Sequence, residues 1–252
     1  MGVASKVMRW TPTAVLVPAI AWQHRIFEPE LRRLDELVPK GRGAVDVGAG
    51  WGEWSWWLAR RVPRVDSFEP NLELVEIVTP VLPANVFLHP VSLSDESGDL
   101  DLWVPHGGRG GEDSALFAAS PAAESTWRQE VATNRLDDFD LGNVGFVRID
   151  VGGNGLSVLN GATDLLISQR PTLLIEIGAN ADADDRMDMI IKFLHDLSYR
   201  GSYLHKGRWH PIRDLDRQMV RGAANRVAPR GNAAQLSFYP RRHVHPLVFR
   251  PI

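Results

Sequence analysis

Between residues 46 and 52 the chain reads Asp46-Val47-Gly48-Ala49-Gly50-Trp51-Gly52, an acid followed by glycines at every second position. Glycines at this spacing allow positive-φ turns and let a ligand approach main chain that a Cβ would shield. Roughly twenty residues further on stands Glu69, where an acid at a strand end can accept the protons of both ribose hydroxyls. Loop and acid together point to an adenosine-containing cofactor. The dinucleotide fingerprint G-x-G-x-x-G requires a third glycine at position 53, and this chain has Glu53 there, a carboxylate where a pyrophosphate would lie. That repulsion turns the reading toward S-adenosylmethionine, whose amino group and sulfonium are cationic and suit Asp46. Trp51, between two of the glycines, could close over the cofactor, against the core packing that is usual for a tryptophan cluster.

A second set of groups could act on an acceptor. Asp150 ends the apolar run Phe146 to Ile149, and Glu176 sits inside the run Thr172 to Ile177. Beside a cationic sulfonium the charged carboxylate is favoured. Asp150 also has a purely structural reading, as a helix N-cap. Histidine titrates near neutrality, which brings in His106, inside the glycine-rich stretch Pro105 to Gly111, and His24, in an N-terminal apolar segment. Asp150, Glu176 and His106 are the candidate catalytic residues. Asp150 and Glu176 could also hold Mg2+, since hard cations take carboxylate oxygens, and His243 and His245 alternate in a way that could pair on a metal. Neither is part of the leading assignment, which contains no metal ligand.

These groups need a scaffold that delivers them to one edge. Gly43 to Val47 reads as a buried parallel strand, Glu53 to Arg61 as a helix and Arg64 to Phe68 as a second strand, the β-loop-α-β unit of a nucleotide site. Leu72 to Val81 predicts a helix, and Val86 to Leu88 and Leu100 to Val104 predict strands. Gly155 to Ser168 predicts one helix, and so does Asp184 to Leu197, from its Met187, Ile190, Ile191, Leu194 spacing. The apolar positions Leu31, Leu34, Leu37 and Val38 predict a helix over 27–38. Thr13 to Trp22, interrupted by Pro12 and Pro18, reads as a docked N-terminal segment or lid. Gln235 to Tyr239 and Val244 to Phe249 read as edge strands. Strands alternating with helices imply a Rossmann-like α/β fold with a mainly parallel, doubly wound sheet, and ligands then bind beyond the strands' carboxyl ends. The expected division is a lid over 1–42, a cofactor-binding core over 43–205 and an extension over 206–252, within one domain.

With 252 residues, 44% of them hydrophobic, the chain can bury one large core. Its net charge of -3 argues against a general nucleic-acid binder, which needs a basic surface. From Arg200 onward, eleven Lys/Arg stand against two acids, so the C-terminal stretch is basic and the remainder acidic. There are no cysteines, which excludes disulfides, thiolate zinc sites and a cysteine nucleophile. The apolar N-terminal run is too short to span a bilayer. The expectation is a cytoplasmic protein with a small-molecule or saccharide acceptor, no nucleic-acid partner and no stable membrane insertion.

The order of motifs from residue 45 resembles the FkbM family of methyltransferases. The pieces are Val45-Asp46-Val47-Gly48-Ala49-Gly50-Trp51-Gly52, Phe68-Glu69-Pro70, Val91-Ser92-Leu93-Ser94-Asp95 with Gly98, Asn134-Arg135-Leu136-Asp137-Asp138, Arg148-Ile149-Asp150-Val151, Val158-Leu159-Asn160-Gly161-Ala162, and Arg170-Pro171 leading to Ile175-Glu176. The resemblance implies methyl transfer from S-adenosylmethionine to a hydroxyl of a sugar, glycolipid or related small polar metabolite. It implies that Asp46, Gly48 and Gly50 hold the methionine portion, Glu69 the ribose, and Ser92 or its neighbours the adenine edge, with Asp150 beside the methyl group; Ala49, Trp51 and Pro70 complete the candidate cofactor-binding residues. Asp137 and Asp138 read as structural, capping and bracing the strand to Asp150. The family continues from the strand aspartate as Val-Glu-Gly-x-Glu, whereas Gly152 and Gly155 replace the two glutamates here. Positioning the acceptor can supply roughly 7–11 kcal/mol and a base about 10²–10⁴-fold, so their loss need not end catalysis. The competing readings are an idle S-adenosylmethionine-binding module and a nucleotide-dependent oxidoreductase or epimerase.

Overall fold

The structure is a computed structural model, and it describes residues 12–105, 115–116, 126–177, 183–216 and 244–252. Its main sheet has eight strands: β1 (Gly43–Val47), β2 (Val65–Phe68), β3 (Val86–His89), β8 (Val144–Ile149), β9 (Thr172–Ile177), β10 (Tyr199–His205), β11 (Arg208–Pro211) and β12 (Val244–Pro251), in the order β11-β10-β12-β9-β8-β1-β2-β3. The five strands from β9 to β3 run parallel; β12, β10 and β11 join antiparallel. The mainly parallel, doubly wound reading holds.

Period-2 alternation divides each strand between two cores. Val45, Val47, Val147, Ile149, Leu173 and Ile175 face the layer of α5 (Gly155–Asn160), α6 (Thr163–Gln169) and α7 (Ala183–Asp196). Ala44, Phe146, Leu174 and Val248 face the opposite layer, where α3 (Glu53–Leu58) buries Trp54, Trp57 and Leu58 as its spacing predicts. Above α3 lies α1 (Thr13–Phe27). Its Leu16, Val17 and Ile20 pack on Trp51 and on Leu74 and Val78 of α4 (Leu72–Val78), and Trp57 Nε1 donates to the Ala21 carbonyl at 2.8 Å. The apolar N-terminal run is therefore a docked helix that tolerates Pro18 within it.

Four expectations are corrected. The stretch 27–38 is no continuous helix: α1 ends at Phe27, Pro29 opens a 3-10 turn over Pro29–Arg33, and only α2 (Leu34–Leu37) is α-helical. The predicted helix over 155–168 breaks at Gly161, where a Cβ would meet the Ser94 carbonyl oxygen at 2.0 Å, so close chain contact sets the break. The strand near Leu100 is real, as β5 (Gly98–Pro105), but it belongs to a second sheet, β4-β7-β5-β6, with β4 (Ser92–Leu93), β6 (Ala115–Leu116) and β7 (Thr126–Asn134). Gln129, Val131 and Thr133 alternate buried with exposed neighbours along β7, the period-2 signal that would have revealed it. Finally, Val244 to Phe249 is no edge strand. β12 lies between β9 and β10, consistent with the consecutive buried residues Leu247, Val248 and Phe249. Gln235 to Tyr239 lies outside the described residues.

Candidate active site at the carboxyl ends of the parallel strands

The loop after β1 is shaped by main chain. Gly48, Gly50 and Gly52 have φ of +78°, +56° and +76°, conformations that L side chains adopt only with strain. At Gly48 a Cβ would lie 1.9 Å from the Asp150 carbonyl oxygen, so this glycine is demanded by the neighbouring strand. At Gly50 the nearest groups to a Cβ are the Glu53 carboxylate oxygens, 3.7 Å away, and the Gly50 N–H donates to Glu69 Oε2 at 2.9 Å.

Glu69 is buried at the end of β2. Its Oε1 accepts the Asn71 N–H at 2.8 Å, while the Asn71 side chain caps α4 by accepting from Glu73 N at 3.1 Å. Burial pushes the Glu69 carboxyl up to about 7 against the pull of those two backbone donors. The adjoining Pro70 carbonyl accepts from Gln129 Nε2 at 2.8 Å, which ties the second sheet to the loop. Ser92, on β4, buries its Oγ without a hydrogen-bond partner among the described residues.

Across β1, β8 and β9 lies a residue that the sequence reading quoted but gave no role. Arg148 is cross-strand neighbour to Asp46 and to Leu174. Its Nη1 donates to Asp46 Oδ1 and to the Gly48 carbonyl, each at 3.1 Å; its Nη2 donates to Asp150 Oδ2 at 2.6 Å and to Glu176 Oε1 at 3.0 Å. Burial opposes the guanidinium's charge, but Asp150, Glu176 and Asp46 hold its proton more firmly than usual. Glu176, by contrast, is raised well above the usual carboxylate range, by burial first and the Asp150 charge second. The signal was present in the alternation: Asp46, Arg148, Asp150 and Glu176 occupy same-face positions of three adjacent strands.

This knot revises two expectations. Asp46 does not open toward a ligand: it is fully buried, with Oδ1 on Arg148 and Oδ2 accepting from Ser55 Oγ at 2.5 Å. Nor do Asp150 and Glu176 frame a magnesium site, because a guanidinium nitrogen stands between them. Among the described residues, no group of three or more His, Asp or Glu is arranged for a metal ion. Trp51 turns its ring into the α1–α4 cluster, leaving its main chain in the glycine loop. His106 and His243 lie outside the described residues. Asp137 matches its structural reading: its carboxylate accepts the N–H groups of Asp164 and Leu165, both at 3.0 Å, at the start of α6.

The site also draws on α1. His24 Nδ1 lies 2.6 Å from Glu28 Oε1 and 3.9 Å from Glu53 Oε1, and Trp54 Nε1 donates to Glu28 Oε2 at 2.6 Å. Burial alone would raise Glu28, but the His24 hydrogen bond and charge, with Arg148 and Trp54 behind them, hold it below the usual carboxylate range.

No curated protein matches the chain. Among solved structures, the fold is similar to the methyltransferase FkbM from Methylobacillus flagellatus KT, with a TM-score of 0.50 and 14% identity, covering 98% of this chain and 58% of that one. The chain thus spans little over half the length of that structure. Weaker similarities reach a Streptococcus mutans protein solved in complex with SAH (TM-score 0.44, 9% identity, 88% and 95% coverage) and an rRNA methylase from Streptococcus thermophilus (TM-score 0.44, 11% identity, 88% and 94% coverage). The methyltransferase FkbM domain model matches residues 46–200, from the aspartate that opens the glycine loop to the start of β10. With that match over more than half its length, the chain belongs to the FkbM methyltransferase family.

Proposed function

We propose that the protein is an S-adenosylmethionine-dependent O-methyltransferase acting on a hydroxyl of a sugar, glycolipid or related small polar metabolite. The observation that carries the cofactor reading is the buried Glu69 carboxylate held on the Gly50 N–H at the mouth of a positive-φ glycine loop. The surrounding acids Glu28, Asp46, Glu53 and Asp150 outnumber the cations beside them, which suits a ligand carrying a sulfonium and an ammonium. Bound there, the cofactor would supply an already activated methyl group. Glu69 accepts the ribose hydroxyls. Asp150, oriented by Arg148, accepts a hydrogen bond from the acceptor hydroxyl and aligns it for in-line attack. Both carboxylates are held by the Arg148 guanidinium, so Asp150 and Glu176 contribute orientation of the acceptor.

Room for an acceptor beside Asp150 is supported by Gly152, where a Cβ would meet nothing within 4 Å among the described residues. The net charge of -3 argues for a small acceptor over nucleic acid. Among the described residues no helix is long and apolar enough to cross a membrane. Calorimetry with S-adenosylhomocysteine tests the cofactor reading: the parent binds and Glu69→Ala binds at least roughly tenfold more weakly. Equal binding sinks it. The capture of Asp150 and Glu176 by Arg148 favours one second reading, an idle cofactor-binding module. Turnover of any methyl glycoside that stops in Asp150→Ala removes it.

A further inference from the structure

A surface helix of a globular protein ordinarily turns a charged or polar stripe to water. α1 does not. Leu16, Val17 and Ile20 are its buried side, and the outward positions Val15, Ala19, Trp22 and Ile26 follow at the i, i+4, i+7, i+11 spacing of a single helix face. All four are apolar, and Val15, Trp22 and Ile26 are 59%, 58% and 64% exposed. An exposed apolar stripe with a polar rim marks an interaction surface. Here the rim is cationic. The Arg25 guanidinium lies 4.3 Å over the Trp57 ring, which Trp22 meets edge-on at 4.9 Å. Arg60, just past α3, lies 4.3 Å over Trp56, and Arg32 donates to the Ile26 carbonyl at 3.2 Å. Among the described residues none of these three arginines has an ion-pair partner, whereas the neighbouring acids Asp35 and Glu36 are already held by Arg61 and Arg33. The sequence contains no Asp or Glu before Glu28.

We propose that this face of α1 is a docking surface for an anionic lipid bilayer. Trp22 and Ile26 enter the boundary between headgroups and acyl chains, a depth that indole rings favour, and Arg25, Arg32 and Arg60 meet the lipid phosphates. A second copy of the chain fits these charges less well, because a two-fold contact sets a surface against itself and would bring the arginines together. The contact is adsorption, since the inner face of α1 stays packed on Trp51, Leu74 and Val78. Through Trp51, α1 links the bilayer to the glycine loop, which favours the glycolipid among the acceptors proposed above. That preference rests on the cofactor reading, whereas vesicle binding is measured with neither cofactor nor turnover.

Sedimentation of the full chain with vesicles tests this, comparing phosphatidylcholine alone with phosphatidylcholine containing about one-third phosphatidylglycerol. The parent should partition onto the anionic vesicles at least roughly tenfold more strongly than onto the neutral ones, and less so as salt is raised. Val15→Glu with Ile26→Glu, both at exposed positions, should lower that partitioning at least roughly tenfold while the melting temperature stays within about 2 °C of the parent's. Arg32→Gln and Arg60→Gln should each lower it about fivefold. A parent that binds neither vesicle overturns the proposal without any variant. So does equal binding to neutral and anionic lipid, and so does binding that the two glutamates leave unchanged. A parent that stays off vesicles but forms a dimer in light scattering, dissociated by those glutamates, would assign the face to a second copy and overturn it as well.

Discussion

At the carboxyl ends of β1 and β2 the site is made of backbone: three positive-φ glycines, the Gly50 N–H and the turn that Glu69 and Asn71 brace. At the ends of β8 and β9 it is made of charge: one buried guanidinium holding three carboxylates. The first half depends on where side chains are absent, the second on a balance that no member can leave. They meet at Gly48, whose carbonyl accepts from Arg148 and whose missing Cβ admits the Asp150 carbonyl.

Breaking that meeting point should have the largest effect. Gly48→Ala places a methyl 1.9 Å from backbone oxygen and must displace β8 or the loop, so a loss of about 4 kcal/mol or more is expected in urea unfolding. A loss under about 1 kcal/mol would show that the two halves are only loosely coupled.

Next comes the charged half. Arg148→Met leaves the buried Asp46, the nearly buried Glu176 and the partly exposed Asp150 without their cation, and removing one partner from such a buried group costs about 3–5 kcal/mol. Without the guanidinium that pulls it down, the Glu176 carboxyl lies still further above its unfolded value, so stability is lost as pH rises. The variant should lie closest to the parent near pH 5 and furthest from it near pH 8. A deficit independent of pH would mean that Arg148 matters for its volume alone.

In the backbone half the sensitive charge is Glu69. Its folded pKa of about 7 exceeds the ordinary glutamate value of 4.5, so its protonated form is favoured by folding and that contribution fades as pH rises between those two values. The gap corresponds to about 3 kcal/mol at most. Glu69→Gln should therefore flatten the fall in stability across that window. Ribose recognition needs the ionised acceptor, so S-adenosylhomocysteine affinity should rise through pH 7 in the parent and stay level in the variant, as titration calorimetry at pH 6 and 8 would show.

The smallest effect sharpens the contrast between glycines. At Gly155, in α5, the nearest atoms to a Cβ are side-chain carbons of Ile190, Ile149 and Ile175 at 3.6 to 3.9 Å, ordinary contact distances. Gly155→Ala should stabilise the fold by about 0.5–1 kcal/mol through helix propensity. Destabilisation in a thermal melt would show that the loop after Asp150 is as constrained as the one after Val47.

The backbone half was legible in the order of residues because its information is local: a glycine where φ must be positive, and an acid one strand later. The same locality let Trp54, Trp57 and Leu58 be assigned to the core by helical spacing. Sequence order was a poorer guide wherever distant chain meets. Asp46 looked like a ligand for a cation because nothing nearby in the chain could neutralise it; its partner arrives from Arg148, on the neighbouring strand. The break at Gly161 follows from Ser94, and the internal place of β12 follows from β9 and β10, which pair with it on either side.

By itself, then, the sequence determined the parallel α/β class, the glycine loop with Glu69 and the family to which they belong, since these rest on residue types at short, regular spacing. The tertiary structure decided which carboxylates remain available. A side chain's charge is set by its own chemistry, but whether that charge is already answered depends on which strands lie side by side, and here Arg148 answers for three of them.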